Sequence, residues 1–161
     1  MEEKGPKSIG IIVDGNRRWA KKQGVSVFEG HRAGYKRFKE CVTWARDAGV
    51  RFVTAYVFSM ENWNRPRAEV DFLLELLEEV LKDEIKEFKK NDVRIIIIGK
   101  RERFSEKIQA LIKKTEEETA GGNAITVVLA LSYGGREEIL QAAEKCRLKG
   151  GRLEDYLYTK D

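Results

Sequence analysis

The sequence has 161 residues, enough for one domain with a substantial buried core. Apolar residues make up 42% and charged residues 36%, which excludes a disordered chain, and the net charge of +4 is too small and too evenly interspersed to argue nucleic-acid binding. Two widely separated cysteines, Cys41 and Cys146, and the single His31 exclude zinc-finger chemistry, so the cysteines read as buried small apolar residues in a reducing compartment.

The opening residues MEEKGPK are charged and lack the apolar core of a signal peptide. The longest apolar runs, such as Ile95 to Ile98, fall far short of the roughly 18–20 residues that span a bilayer. The reading is a cytoplasmic protein, at most peripheral to a membrane.

In chain order, the Val- and Ile-rich runs Ile9–Val13, Phe52–Phe58, Val93–Ile98 and Ala124–Leu131 predict strands buried on both faces. Between them, Ala33–Ala48, Glu69–Lys90 and Ser105–Thr119 predict helices, and Glu137–Lys149 predicts a fourth after the last strand. Glu69–Lys90 contains no Gly or Pro and carries Val70, Leu73, Leu77, Leu81, Ile85 and Phe88 at helical steps, so it reads as one helix of about six turns. Gly24, Gly30, Gly49, Gly99 and the Gly121-Gly122 pair punctuate the joints. This alternation implies an α/β fold, a mostly parallel sheet covered by helices on both faces in a single domain over residues 1–161.

Ligands in open α/β sheets bind beyond the carboxyl ends of the strands. The first strand ends at Asp14-Gly15-Asn16-Arg17-Arg18-Trp19. Gly15 permits a tight turn, Asn16 is placed to cap the following helix, and free amides at a helix start attract an anion beside Arg17 and Arg18. Asp14 would lie next to a phosphate, where a carboxylate commonly shares Mg²⁺ with phosphate oxygens. The second strand ends at Ser59-Met60-Glu61-Asn62-Trp63-Asn64-Arg65-Pro66, and a parallel sheet places it on the same edge. His31, in Glu29-Gly30-His31-Arg32 at the start of the next helix, is a candidate third anion contact.

The ordered stretches IIVDGNRRWAKKQG, GHRAG, YVFSMENWNRP followed by Glu69-Val70, VRIIIIG and LSYGGREEI resemble the cis-prenyltransferase family, typified by undecaprenyl diphosphate synthase. The doubled Arg17-Arg18 is closer to the eukaryotic and archaeal members. The resemblance implies an enzyme that condenses isopentenyl diphosphate onto an allylic diphosphate such as farnesyl diphosphate. By that resemblance Asp14 holds Mg²⁺ and assists departure of the allylic diphosphate. Gly15, Asn16, Arg17 and Arg18 bind that diphosphate, with His31 and Arg65 adding contacts. Trp19 and Trp63 shape the pocket, Met60 and Glu61 lie with the substrate-binding residues, and Ser59 and Asn62 orient the isopentenyl group or assist removal of its proton. The family also implies a homodimer or heteromer.

The sequence departs from the family at Ser8, where His is usual, and at Val27, where Arg is common. The family's C-terminal Arg-x-Gly and Arg-x-Ser, which bind isopentenyl diphosphate, do not follow Tyr133-Gly134-Gly135-Arg136 here. The alternative function is therefore a non-catalytic or partner-dependent subunit that binds a prenyl diphosphate. A haloacid-dehalogenase-like phosphatase needs a second Asp where Asn16 stands, and a trans-type prenyltransferase needs Asp-rich clusters that the sequence lacks.

Overall fold

In the computed structural model, residues 5–160 are described; Met1–Lys4, within the stretch read above as lacking a leader, and Asp161 lie outside the described residues. Four strands, β1 (Ser8–Ile12), β2 (Phe52–Ser59), β3 (Val93–Ile98) and β4 (Ile125–Tyr133), form one parallel sheet in the order β1-β2-β4-β3. All four predicted strands are present, because Val- and Ile-rich runs suit a pleated, buried surface.

The helices are α1 (Asn16–Gln23), α2 (Val27–Asp47), α3 (Arg67–Asp83), α4 (Ile85–Lys90), α5 (Glu106–Thr119) and α6 (Gly135–Lys149). The helix expected over Ala33–Ala48 starts six residues earlier. Ser26 is its cap, accepting from the Glu29 amide (3.2 Å) while the Glu29 carboxylate accepts from the Ser26 amide (2.9 Å). Gly30 and His31 therefore lie inside α2, and Gly30 is no joint. The six-turn helix expected over Glu69–Lys90 breaks at Glu84 into α3 and α4. The buried Thr115 hydroxyl, shared with the Leu111 carbonyl of its own helix (2.9 Å), lies 3.2 Å from the Leu81 carbonyl, the acceptor that an unbroken helix would offer to the Ile85 amide.

Helices α2 to α5 cover one sheet face. Val53, Ile95, Ile97, Val127 and Leu131 from the strands pack there with Ala45, Val70, Leu81, Ile108 and Ile112. The second face is covered in part: Ile98, Val128 and Ala130 are buried beside Tyr56, Tyr133 and Tyr158, and α6 reaches this cluster through Glu138, which accepts from the Tyr133 hydroxyl. At the β1–β2 end of that face Ile12 is 75% and Phe52 49% exposed, so those strands are buried on one side only. Both cysteines are free and half-buried rather than buried. No helix among the described residues is long and apolar enough to cross a membrane.

Candidate active site

The β1 and β2 ends lie side by side: Ile12 pairs with Tyr56, and the Val13 amide donates to the Tyr56 carbonyl (3.2 Å). Gly15, at φ 94°, turns the chain from β1 into α1, a backbone conformation that favours glycine. Gly15, not Asn16, is the cap residue, and Asn16 is the first residue of the helix. The Asn16 side chain instead fills the space a Cβ at Gly34 would occupy, with its Oδ1 2.3 Å from that position. A Cβ at Gly30 would lie 2.6 Å from the Asn16 carbonyl oxygen and 2.8 Å from the Ala20 Cβ. The two glycines of GHRAG thus let α1 seat directly on α2, and this contact sets where the α1 amide end points.

Asp14 is exposed, accepts from the Gly15 amide and receives Arg18 Nη2 at 2.9 Å. Glu69, in the first turn of α3 after Pro66, is buried and gathers basic side chains from three elements. Arg65 donates to its Oε1 at 3.0 Å, His31 Nε2 lies 3.2 Å from the same oxygen, and Arg17 Nε lies 3.7 Å from Oε2. Burial pushes the His31 pKa down, overriding the upward pull of Glu69, with Arg65 and Arg17 adding to the depression. Three guanidinium groups face two carboxylates, so the mouth keeps a net positive charge.

A cavity of about 540 Å³ opens at this mouth. Asp14 to Arg18, His31, Ser59, Asn62 and Arg65 line it, and behind them lie Tyr35, Phe38, Leu73, Leu77, Val80 and Leu131. It is a cationic entrance leading into an apolar channel between α2, α3 and the sheet. Within it, Asn62 Oδ1 accepts from the Ser59 amide at 3.0 Å and so ties the two residues together.

Four predicted residues do not line the cavity. Trp19 is 46% exposed on α1. Glu61 is exposed on the turn Met60–Asn64, its carboxyl held low by its own amide and then by the Ser59 hydroxyl. Met60 Sδ lies 3.5 Å from the Ser132 hydroxyl. Trp63 turns away to donate from Nε1 to Ser132 Oγ (3.0 Å) and packs on Phe58 and Phe104. An Arg-x-Ser triplet occurs at Arg103-Phe104-Ser105, where Arg103 lies 4.7 Å over the Trp63 ring and Ser105 caps α5.

Glu69 has no role in the sequence-based site; its one local signal is a carboxylate three residues after Pro66 at a helix start. Among the described residues no three His, Cys, Asp or Glu side chains form a metal cluster. Asp14, a single exposed carboxylate at the cationic mouth, has the donor chemistry for Mg²⁺ shared with phosphate oxygens rather than an all-protein cage.

The prenyltransferase family model described as undecaprenyl diphosphate synthase matches residues 12–160. The chain is 41% identical over 166 aligned residues to the isoprenyl transferase of Fusobacterium nucleatum subsp. nucleatum, covering 99% of this chain and 72% of that protein. It is 43% identical over 152 residues to the ditrans,polycis-undecaprenyl-diphosphate synthase ((2E,6E)-farnesyl-diphosphate specific) of Escherichia coli (strain K12), covering 93% of this chain and 60% of that one. The crystal structure of lavandulyl diphosphate synthase from Lavandula x intermedia, in complex with dimethylallyl diphosphate, superposes with a TM-score of 0.84 at 33% identity, covering 96% of this chain and 68% of that one. The chain belongs to the undecaprenyl diphosphate synthase family of cis-prenyltransferases.

Proposed function

We propose that this chain condenses isopentenyl diphosphate onto an allylic diphosphate such as farnesyl diphosphate, forming a cis double bond with Mg²⁺. The observation that carries this reading is the cavity, which joins a cationic mouth to an apolar channel and so matches a diphosphate head on a hydrocarbon tail. The relatives that match it over nearly all of its length are transferases and synthases, which favours the enzyme over a non-catalytic binding subunit.

The α1 amide end with Arg17 and Arg18 would bind the allylic diphosphate, and His31 and Arg65, oriented by Glu69, would close around it. The allylic carbon–oxygen bond breaks with its electron pair passing to the departing diphosphate, so fixed cations and amide dipoles stabilise the developing charge. Asp14 would hold Mg²⁺ with the diphosphate oxygens, and the ion supplies further neutralisation of that charge. The isopentenyl double bond forms the new carbon–carbon bond, and the proton released from it passes to the departing diphosphate. Ser59 and Asn62, joined at the cavity wall, would orient the isopentenyl group for that transfer. In the same reading the protein works in the cytoplasm as a homodimer or heteromer and meets a membrane only at its surface, because the product is a lipid.

The test incubates purified chain with radiolabelled isopentenyl diphosphate, farnesyl diphosphate, Mg²⁺ and detergent. Labelled product extractable into organic solvent is expected. Tight farnesyl diphosphate binding without product would overturn catalysis and support the subunit.

A further inference from the structure

Ser132 stands outside the proposed machinery, yet its conformation is unusual. It lies at the end of β4 with φ 50°, in the left-handed region, and is completely buried. Serine gains little there, whereas glycine enters that region without steric cost. Where the neighbouring chain needs such freedom it uses glycine: Gly99 has φ 112°, and a Cβ there would lie 2.1 Å from the Leu131 carbonyl oxygen. A serine at such a position points to a use for its side chain.

What the side chain does is visible. Ser132 Oγ accepts from Trp63 Nε1 at 3.0 Å and lies 3.5 Å from Met60 Sδ, while its carbonyl accepts from the Lys100 amide at 3.1 Å. Around Ser132 the pairing of β2 with β4 slips: Phe58 pairs with Leu131, but Ser59 pairs with Tyr133, leaving Ser132 as the extra residue of a bulge. The bulge aims the Ser132 hydroxyl at Trp63, while Ser59 returns to the register that Phe52–Tyr56 keep with β4. Trp63 belongs to the turn Met60–Asn64, which also carries Asn62. Phe58 at 5.0 Å, Phe104 at 5.6 Å and the Arg103 guanidinium at 4.7 Å complete the clamp on its ring.

We infer that Ser132 is a positioning residue for Ser59 and Asn62, acting through the indole of Trp63. The inference rests on the prenyl-transfer reading of Ser59 and Asn62. It predicts a split between the two halves of the cavity mouth: the diphosphate grip on α1 is independent of Ser132, whereas the Ser59–Asn62 edge depends on it.

Three variants of the full chain separate this from a purely structural role. Ser132→Ala removes the acceptor with little change in backbone preference, Ser132→Gly removes it while easing the backbone, and Ser132→Asn tolerates the left-handed region and restores an acceptor. Ser132→Ala and Ser132→Gly should both lower kcat by about 10- to 100-fold with unchanged farnesyl diphosphate affinity, as loss of orientation does. Ser132→Asn should recover most of the rate. In ¹H–¹⁵N spectra the Trp63 indole signal, identified with Trp63→Phe, and the Ser59 and Asn62 amides should shift in the Ala and Gly variants and return in Asn.

Wild-type rates in Ser132→Gly, or Ser59 and Asn62 amides that stay in place, would overturn the inference. If Ser132→Ala does not fold, the backbone-eased Gly variant decides. If the wild-type chain has no turnover, prenyl transfer falls, and the amide shifts alone decide whether Ser132 positions the Ser59–Asn62 edge.

Discussion

His31 Nε2 and Glu69 Oε1 lie 3.2 Å apart, both side chains buried, and Arg65 donates to the same Glu69 oxygen from 3.0 Å. One carboxylate therefore holds two cavity-lining groups from elements far apart in sequence, with Arg17 at 3.7 Å on its other oxygen. Glu69→Ala leaves these groups facing one another without their counter-charge and should cost about 3 kcal/mol of stability by denaturant unfolding. Glu69→Gln keeps an acceptor and should cost about 1 kcal/mol. Both should weaken allylic diphosphate binding measured by calorimetry. A fully stable Glu69→Ala protein would show that the cations do not rely on this carboxylate.

The pH dependence of stability follows from His31. Its pKa is pushed down mainly by burial, so the folded protein holds this proton less tightly than the unfolded chain does. The contribution is fully present above the ordinary histidine value of about 6.5 and is lost as pH falls below it and through the depressed folded value. The groups facing His31 are Glu69, Arg65 and Arg17, and the two arginines keep their charge throughout. The melting temperature should fall on acidification from about pH 7 to about pH 5, and His31→Gln should flatten that segment of the profile.

Gly30→Ala tests the seat of α1. Within a helix the change would ordinarily stabilise by about 0.5–1 kcal/mol. Here the new Cβ meets the Asn16 carbonyl oxygen at 2.6 Å and Ala20 at 2.8 Å, and overpacking of this kind costs about 1–3 kcal/mol. A net loss of stability is expected together with weaker allylic diphosphate binding, because the α1 amide end is displaced. Gly121→Ala, with nothing within 4 Å, is the control and should be neutral.

Asp14→Ala should leave stability within about 0.5 kcal/mol, since the carboxylate and its Arg18 partner are both solvent-exposed. Mg²⁺-dependent turnover should be lost. Turnover retained in this variant would remove Asp14 from the proposed metal role.

The channel is tested at Leu77, which lies on its apolar wall. Leu77→Trp places extra volume in a cavity of about 540 Å³. Farnesyl diphosphate should bind about tenfold more weakly, a difference of about 1.4 kcal/mol. The shorter dimethylallyl diphosphate should bind as before, which distinguishes a filled channel from a damaged mouth.

By itself the sequence determined the parts that depend on neighbouring residues. Val93–Ile98 could be read as a strand with the bounds it has, because its side chains alone satisfy the propensity rules. The polar ends of β1 and β2 were legible for the same local reason, and parallel pairing then had to put them on one edge. Tertiary structure decided the rest. The break at Glu84 is invisible in a segment without Gly or Pro, because the group that meets the Leu81 carbonyl there, the Thr115 hydroxyl, comes from another helix. Trp63 faces Ser132 rather than the cavity because a bulge in a strand sixty-nine residues later supplies its acceptor. Arg17 and His31 meet at Glu69 because two glycines let α1 and α2 touch and α3 starts beside them. Strand propensity and turn chemistry act within a few residues, whereas a buried charge must find its partner wherever packing brings one.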